Sequence, residues 1–365
     1  MSFHSRVRHC VMIMIAEGKM AEIQFIRKEV QSSFLDPKEG FTRKSISLEL
    51  RRDDLTGHRS RILPYRRKYP EVVIPPEMLE ASRKVCPFCA DQLSSSTPKL
   101  LPEIASEGRI RRGRAWLFPN AFPYARYNWV IVFGEEHFLY PDQFSVEMLR
   151  DGFLAAQEGI QRIGKSQPEF QYSSINWNYL PSSGAGIFHP HMQILVEDVP
   201  TASHKEVLEG IIRYRDEGVP SFWESFLLEE IKRGERYIGH QGDVHFLTAF
   251  SPRGIFGEIL ILFSNRSTID EVRTEDWTGL SQGLIRVFQY LKGHVLSFNL
   301  SLFSGNGDGV RSWVYGRLCP RMIIPPWHTS DINYFEKLHD EVMCVISPEE
   351  LCRDVKPFFT GSRPS

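Results

Sequence analysis

Two histidines and a glutamine at two-residue spacing, His189, His191 and Gln193, stand in the stretch Phe188-His189-Pro190-His191-Met192-Gln193-Ile194-Leu195-Val196-Glu197. Its branched and apolar residues follow a Gly-rich approach, Ser182-Ser183-Gly184-Ala185-Gly186, and predict a β-strand. Side chains two apart in a strand share a face, so His189, His191 and Gln193 point one way and Met192, Ile194 and Val196 the other. Two imidazoles and an amide on one face make sense if one imidazole holds a metal and the other does chemistry. The alternative is a pair of histidines hydrogen-bonded in a core or on a surface.

Cys86-x-x-Cys89 is a second chemical feature. Zinc is usually four-coordinate, so two thiolates need two more ligands. His137 closes a predicted strand over 129–133, and His189 opens the strand above. A Cys86, Cys89, His137, His189 site is chemically ordinary, although its long gaps exclude a compact zinc finger. It would pin the 86–89 loop onto the sheet beside His191. Zinc is the expected ion; the ligand set also admits iron.

The elements that must position these residues follow from periodicity. Residues 114–118, 129–133 and 173–179 read as strands. A helix is expected over 145–163, with Ser145 as N-cap and Met148, Leu149, Phe153, Leu154 and Ile160 on one face. Residues 201–233 are mostly helical and charged, and read as a bridge between halves. The pattern then recurs: strands at 244–249 and 258–263, a long helix over 274–295, and strands at 298–303 and 313–324. Both halves read strand, strand, long helix, strand, strand, which predicts two related α+β units. The division drawn is an N-terminal extension over 1–44, a first unit over 45–200 and a second over 201–365.

Composition bounds the function. A chain of 365 residues, 42% hydrophobic and 24% charged, is an ordinary globular protein of one or two domains. A net charge of −1 argues against a dedicated nucleic-acid binder. No apolar run approaches the ~20 residues of a membrane span. Arg6 to His9 followed by the apolar Cys10 to Ala16 has the outline of a signal peptide. The run is at the lower size limit without a clear cleavage site, and Met20 is an alternative start. The six cysteines do not form a disulfide scaffold at this length, so a cytoplasmic location is expected, with Cys86 and Cys89 as metal ligands or a redox pair. Residues 43–68 hold nine Lys or Arg against three acids. This is either a surface balanced by acids elsewhere or an anion-receiving arm, with phosphate the fitting anion.

Several motifs together resemble one family. Leu50-Arg51-Arg52-Asp53-Asp54-Leu55-Thr56-Gly57 and Ile62-Leu63-Pro64-Tyr65-Arg66-Arg67-Lys68-Tyr69-Pro70 are similar to the opening of galactose-1-phosphate uridylyltransferases. So are Cys86-Pro87-Phe88-Cys89, Asn120-Ala121-Phe122-Pro123, the strand ending at His137, and Asn178 followed by His189-Pro190-His191-x-Gln193. The resemblance is clear over about 46–200 and diffuse to about 355. That family lies in the histidine-triad superfamily, which also includes ADP-sugar phosphorylases. It implies an α+β fold built as a tandem pair of histidine-triad-like units, each an antiparallel sheet with a long helix, and a homodimer.

The resemblance also implies roles. His191 would be the nucleophile, attacking the α-phosphorus of a nucleotide sugar to give a covalent nucleotidyl-histidine that a phosphorylated acceptor then discharges. A neutral imidazole can attack if its other nitrogen is held protonated by a carbonyl. Gln193 would donate to a phosphoryl oxygen, with Asn178 and the amides of Gly184 to Gly186 as further donors. Arg66 matches an arginine on the nucleotide phosphates, Asn120 and Phe122 match the nucleoside pocket, and Glu336 matches a sugar-hydroxyl contact. Cys86, Cys89, His137 and His189 match the structural zinc ligands.

Departures from the family pattern bear on specificity. Gly186 stands where a phosphate-contacting Ser is common, and Tyr69 where a second arginine is expected. The strand with a second metal-binding His-x-His pair reads Trp313-Val314-Tyr315-Gly316-Arg317, so no second metal is expected. Phe335-Glu336 lacks the downstream Gln. The expected activity is transfer of a nucleotidyl group to a sugar 1-phosphate or phosphate, as in galactose metabolism. The alternatives are an ADP-sugar phosphorylase or adenylyltransferase, and a zinc-stabilised nucleotide-binding protein without transfer activity. Partners are thus a nucleotide sugar and a phosphorylated acceptor, with no nucleic acid and no membrane.

Overall fold

A computed structural model describes residues 23–64, 73–219, 221–292, 294–305, 312–322 and 331–361. Two sheets organise the chain. The smaller has four strands: β1 (Ile26–Asp36), β2 (Thr42–Arg52) and β3 (Arg59–Ile62) run antiparallel, and a strand from the chain's far end, Glu341–Cys344, joins β3 in parallel. β1 and β2 form a hairpin that extends well beyond β3. The boundary expected at 44/45 therefore falls inside β2. The turn after β2 forms as its composition predicts: Asp53 Oδ1 accepts from the backbone N–H of Thr56 at 2.7 Å and from its hydroxyl at 2.8 Å.

The larger sheet has ten strands, all antiparallel. After the short helices α1 (Pro76–Lys84) and α2 (Ala90–Ser96), the first unit supplies β4 (Ile110–Arg112), β5 (Ala115–Pro119) and β6 (Tyr127–Val132). The long helix α3 (Val146–Ser166) follows, then β7 (Tyr172–Tyr179) and β8 (His191–Glu197). Helices α4 (Ala202–Asp216) and α5 (Phe222–Arg233) form the bridge. The second unit repeats the plan with β9 (Tyr237–Gln241), β10 (Val244–Thr248), β11 (Ile259–Phe263), α6 (Thr274–Leu291), β12 (Ser297–Ser304) and β13 (Tyr315–Arg321). The chain closes with α7 (Tyr334–His339), the small sheet's last strand β14 (Glu341–Cys344) and α8 (Pro348–Thr360).

The strand order is β4-β5-β6-β8-β7-β12-β13-β11-β10-β9. The second half mirrors the first, and β7 and β12 pair from Ser173↔Ser304 to Tyr179↔Phe298. The two predicted units are thus fused edge to edge into one sheet, which leaves no free strand edge between them. The sequence pattern does not reach β4, β9 and the hairpin, because short edge strands and a two-sided polar ribbon carry little hydrophobic alternation.

Both long helices lie on one face of this sheet, over a single core. Ser145 caps α3 as expected, accepting from Met148 N–H at 3.1 Å. Phe153 of α3 stacks on Trp277 of α6 at 5.3 Å, and the Trp277 indole N–H donates to Gln157 at 2.9 Å. Small residues let each helix approach: a Cβ at Gly159 would lie 2.8 Å from Leu117, and one at Gly283 would lie 2.0 Å from Phe246. The opposite face is covered at one end by α4 and α5 and at the other by the Cys86–Cys89 loop. Between these covers the polar side chains of β8, β7 and β12 are reachable.

Of the basic stretch over 43–68, the described residues Lys44, Arg51, Arg59 and Arg61 are each paired with a carboxylate. Arg51 is 2% exposed and grips Glu349 through two hydrogen bonds of 2.9 Å. These four charges are balanced within the fold rather than held open for an anion. Arg66 and Tyr69 lie outside the described residues.

Candidate active site

The metal candidates converge. Cys86 follows α1, and Cys89 is the N-cap of α2, so the x-x turn presents both thiols on one side. Their Sγ atoms and the Nδ1 atoms of His137 and His189 lie within 4.8 Å of one another, all four residues being buried. The Sγ–Nδ1 separations are 3.4 Å from Cys89 to His137 and 3.8 Å from both cysteines to His189. Zinc bonds of about 2.3 Å to sulfur and about 2.0 Å to nitrogen, at tetrahedral angles, put S and N about 3.6 Å apart. The residues present therefore fit a tetrahedral ion.

The outer nitrogens agree. His189 Nε2–H donates to the carbonyl of Gly134 at 2.9 Å. Ser82 gives its hydroxyl proton to the Leu79 carbonyl, so at 2.7 Å it accepts from His137 Nε2–H. Both rings then turn a bare Nδ1 inward, the arrangement that second-sphere hydrogen bonds enforce at metal sites. Burial pushes His189 down to about 4 and also lowers His137, which keeps both rings neutral. Burial, then the adjacent Cys86, pushes the Cys89 thiol up to about 11. Two thiols in this setting ionise together only against a cation.

The regular strand begins at His191, not at 188 as expected. Pro190 has no N–H to give a ladder, so His189 lies before the strand and His191 opens it. The alternation holds from there: Met192, Ile194 and Val196 enter the helix-side core, and His191 and Gln193 face the other way. His191 Nδ1–H donates to the His189 carbonyl at 2.8 Å. Its Nε2 is thereby left with a lone pair, and burial lowers the ring's pKa against the opposing effect of the bond to the His189 carbonyl. The ring of Phe88, from the 86–89 loop, packs edge-on with the His191 ring, their centroids 5.3 Å apart.

Gln193 is held by Asn120, which the sequence singles out, and by Tyr124 and Asn128, which it does not. Its Oε1 accepts from Tyr124 Oη at 3.1 Å, Asn128 Nδ2 at 3.1 Å and Asn120 Nδ2 at 3.3 Å. With three donors on the oxygen, the amide NH₂ is turned to the other side. Asn128 is 2% exposed and also donates to the Ile194 carbonyl at 3.2 Å. A buried polar residue inside Tyr-Asn-Trp-Val-Ile-Val was the available signal, since such a side chain must find partners. Asn120 also accepts from Phe122 N–H at 3.0 Å, and the Phe122 ring is exposed beside it.

Asn178 lies on β7, with its amide oxygen accepting from Asn299 Nδ2 at 2.7 Å. The loop over 180–186 is tightly wound: Leu180 takes a positive φ of 74°, and Gly184 one of 98° that only glycine adopts readily. The Gly184 amide donates to Pro181 at 2.9 Å and the Ala185 amide to Leu180 at 3.2 Å. Those two amides are consumed by the turn, which corrects the expectation that all three of Gly184 to Gly186 serve a ligand. Gly186 itself stands in open space. Glu336 sits on α7, its carboxyl pushed up by burial and pulled down by Arg321. In the strand of Trp313 to Arg317, Tyr315 meets His204 Nδ1 at 3.1 Å, and the Arg317 guanidinium pairs with Glu258.

Known proteins share this architecture. An ADP-glucose phosphorylase from Arabidopsis thaliana, determined with bound ADP-glucose, superposes with a TM-score of 0.65 over 85% of this chain and 98% of its own, at 17% identity. A uridylyltransferase does so with a TM-score of 0.61 over 86% of this chain and 99% of its own, at 16% identity. The chain has their fold. In sequence, an uncharacterized protein of Archaeoglobus fulgidus is 27% identical over 322 residues, which is 86% of this chain and 93% of that protein. No family model matches.

Proposed function

We propose that this protein is a nucleotidyltransferase that works through His191 on a nucleotide sugar. The observation that carries the reading is the tautomer set at His191, where the His189 carbonyl holds the Nδ1 proton at 2.8 Å and leaves Nε2 as the nucleophile. In the first half-reaction Nε2 bonds to the α-phosphorus as the bond to the sugar 1-phosphate breaks, and that phosphate leaves with the electron pair. In the second, an oxygen of a phosphorylated acceptor attacks the same phosphorus and Nε2 is released. Charge accumulates on the phosphoryl oxygens in both steps, and the NH₂ of Gln193 is the donor positioned to meet it. Asn120 and the exposed ring of Phe122 would line the nucleoside side, and Arg66 and Glu336 would serve the phosphates and the sugar. Cys86, Cys89, His137 and His189 would hold zinc, which when bound ties the 86–89 loop, and with it Phe88, to the strand that carries His191.

The fold shared with a uridylyltransferase and an ADP-glucose phosphorylase makes UDP-glucose and ADP-glucose the donors to test, with galactose 1-phosphate and inorganic phosphate as acceptors. A homodimer and a reducing, cytoplasmic setting belong to the same reading; no helix among the described residues is long and apolar enough to cross a membrane. Incubation with each donor followed by intact-mass measurement tests it. A mass increase of one nucleotidyl group, absent in His191→Gly, is expected. Unmodified mass with both donors, in protein that binds them, would instead favour a nucleotide-binding protein without transfer.

A further inference from the structure

The second unit reaches into the first unit's site through Asn299, which the sequence does not single out. Asn299 on β12 is the cross-strand partner of Asn178 on β7. The β7–β8 register pairs Asn176 with Gln193, and its continuation brings Asn178 level with His191. One amide of the second unit thus stands one strand beyond the strand that flanks the nucleophile.

Its hydrogen bonds leave no choice of orientation. Arg321 Nη1 donates to Asn299 Oδ1 at 2.7 Å. A guanidinium has only donors, so the oxygen of Asn299 must face it. Both hydrogens of Nδ2 then point the other way, to Asn178 Oδ1 at 2.7 Å and to the Ser183 carbonyl at 2.8 Å. Arg321 is itself fixed by Asp331, whose Oδ1 accepts from Nε at 2.7 Å. The consequence for Asn178 is that its oxygen is committed and its NH₂ is turned toward Gly184, where a Cβ would lie 3.5 Å from Nδ2. Among the described residues nothing accepts from that NH₂. The second bond ties down the Ser183–Gly184 turn, the approach to His189 and His191.

We infer that Asn299 is a positioning residue for the transfer site, acting through Asn178. It turns the Asn178 amide so that its NH₂ faces the phosphoryl group, and Arg321 sets the direction of the relay. The inference rests on the nucleotidyltransferase reading for the identity of the group that receives the donor. The orientation itself does not depend on that reading.

The test is a double-mutant cycle of Asn178→Ala and Asn299→Ala in the full-length, metal-loaded protein. The rate of adduct formation from UDP-glucose or ADP-glucose and the donor Kd are measured together. Each single variant should slow adduct formation roughly tenfold or more, with Kd nearly unchanged, since misplacing a donor acts on the rate. The double variant should be no slower than Asn178→Ala, because Asn299 acts through that residue. Additive losses, or an Asn299→Ala variant with the wild-type rate, would overturn the inference. A second readout needs no turnover: the Asn178 side-chain NH₂ resonances, identified by their loss in Asn178→Ala, should shift in Asn299→Ala. Resonances that stay in place sink the positioning role even if transfer occurs. Resonances that shift in a protein forming no adduct keep the relay and sink only the transferase reading.

Discussion

The ring of His191 is tied to the backbone of His189: Nδ1–H of one donates to the carbonyl of the other at 2.8 Å, while the His189 ring faces Cys86 and Cys89. One residue thus joins the Cys86, Cys89, His137 cluster with its side chain and sets a tautomer with its main chain. His191→Asn can keep an N–H toward that carbonyl but has no nucleophilic nitrogen. It should abolish the nucleotidyl adduct, lowering turnover by at least about a thousandfold, with an unfolding midpoint close to that of the wild type. Intact mass and thermal unfolding check both halves.

Metal analysis should find one zinc per chain, and strong chelation should lower the unfolding midpoint because Cys86, Cys89, His137 and His189 then share a buried pocket without a cation. Ser82→Ala removes the acceptor for His137 Nε2–H, together with the hydroxyl's own bond to the Leu79 carbonyl. It should weaken metal binding by about tenfold to a hundredfold in a chelator competition and leave the four ligands in place.

Asn128→Asp exchanges a buried donor for an acceptor under the amide of Gln193. Gln193 is expected to turn its NH₂ toward the new carboxylate and away from the phosphoryl site. The loss of one oriented donor should reduce kcat on the order of a hundredfold with a small change in KM. An equal loss in Gln193→Ala, with no further loss in the double variant, would identify the shared cause.

Acid should loosen the junction between the small sheet and α8. Glu349 accepts from Arg51 and Arg236. Burial alone would raise its pKa, but the hydrogen bond and charge of Arg51 outweigh it and hold the carboxyl down at about 2. An unfolded Glu titrates near ~4.3, so this contribution is complete above that pH and is lost as the pH falls toward 2. Glu349→Gln should flatten the acid limb of the stability curve between those values. It should also destabilise at neutral pH by about 3 kcal/mol, because the buried Arg51 loses its two-pronged grip on Glu349 and keeps Glu49 alone as a carboxylate partner. Urea unfolding as a function of pH measures both effects.

The clustering of Cys86, Cys89, His137 and His189 and the shared face of His191 and Gln193 were legible because each is a residue type whose cost in a strand or loop demands a reason, at spacings that place it on a defined face. The α+β class and the two-unit plan were legible for a related reason: long helices and buried strands carry strong periodicity, and it recurred. The domain boundary at 44/45 was not legible, because the β1–β2 hairpin is polar on both sides and its closing strand comes from 341–344.

What the sequence determined by itself is local: which side chains share a face of β8, where α3 is capped, and that Cys86-x-x-Cys89 presents two thiols together. Tertiary structure decided which amides those side chains answer to. Tyr124 and Asn128 meet Gln193, and Asn299 meets Asn178, only because strands far apart in the chain are laid side by side. Cross-strand neighbours are set by sheet order and register, and the fusion of the two units at β7 and β12 is a property of the packed core. No single stretch of the chain encodes it.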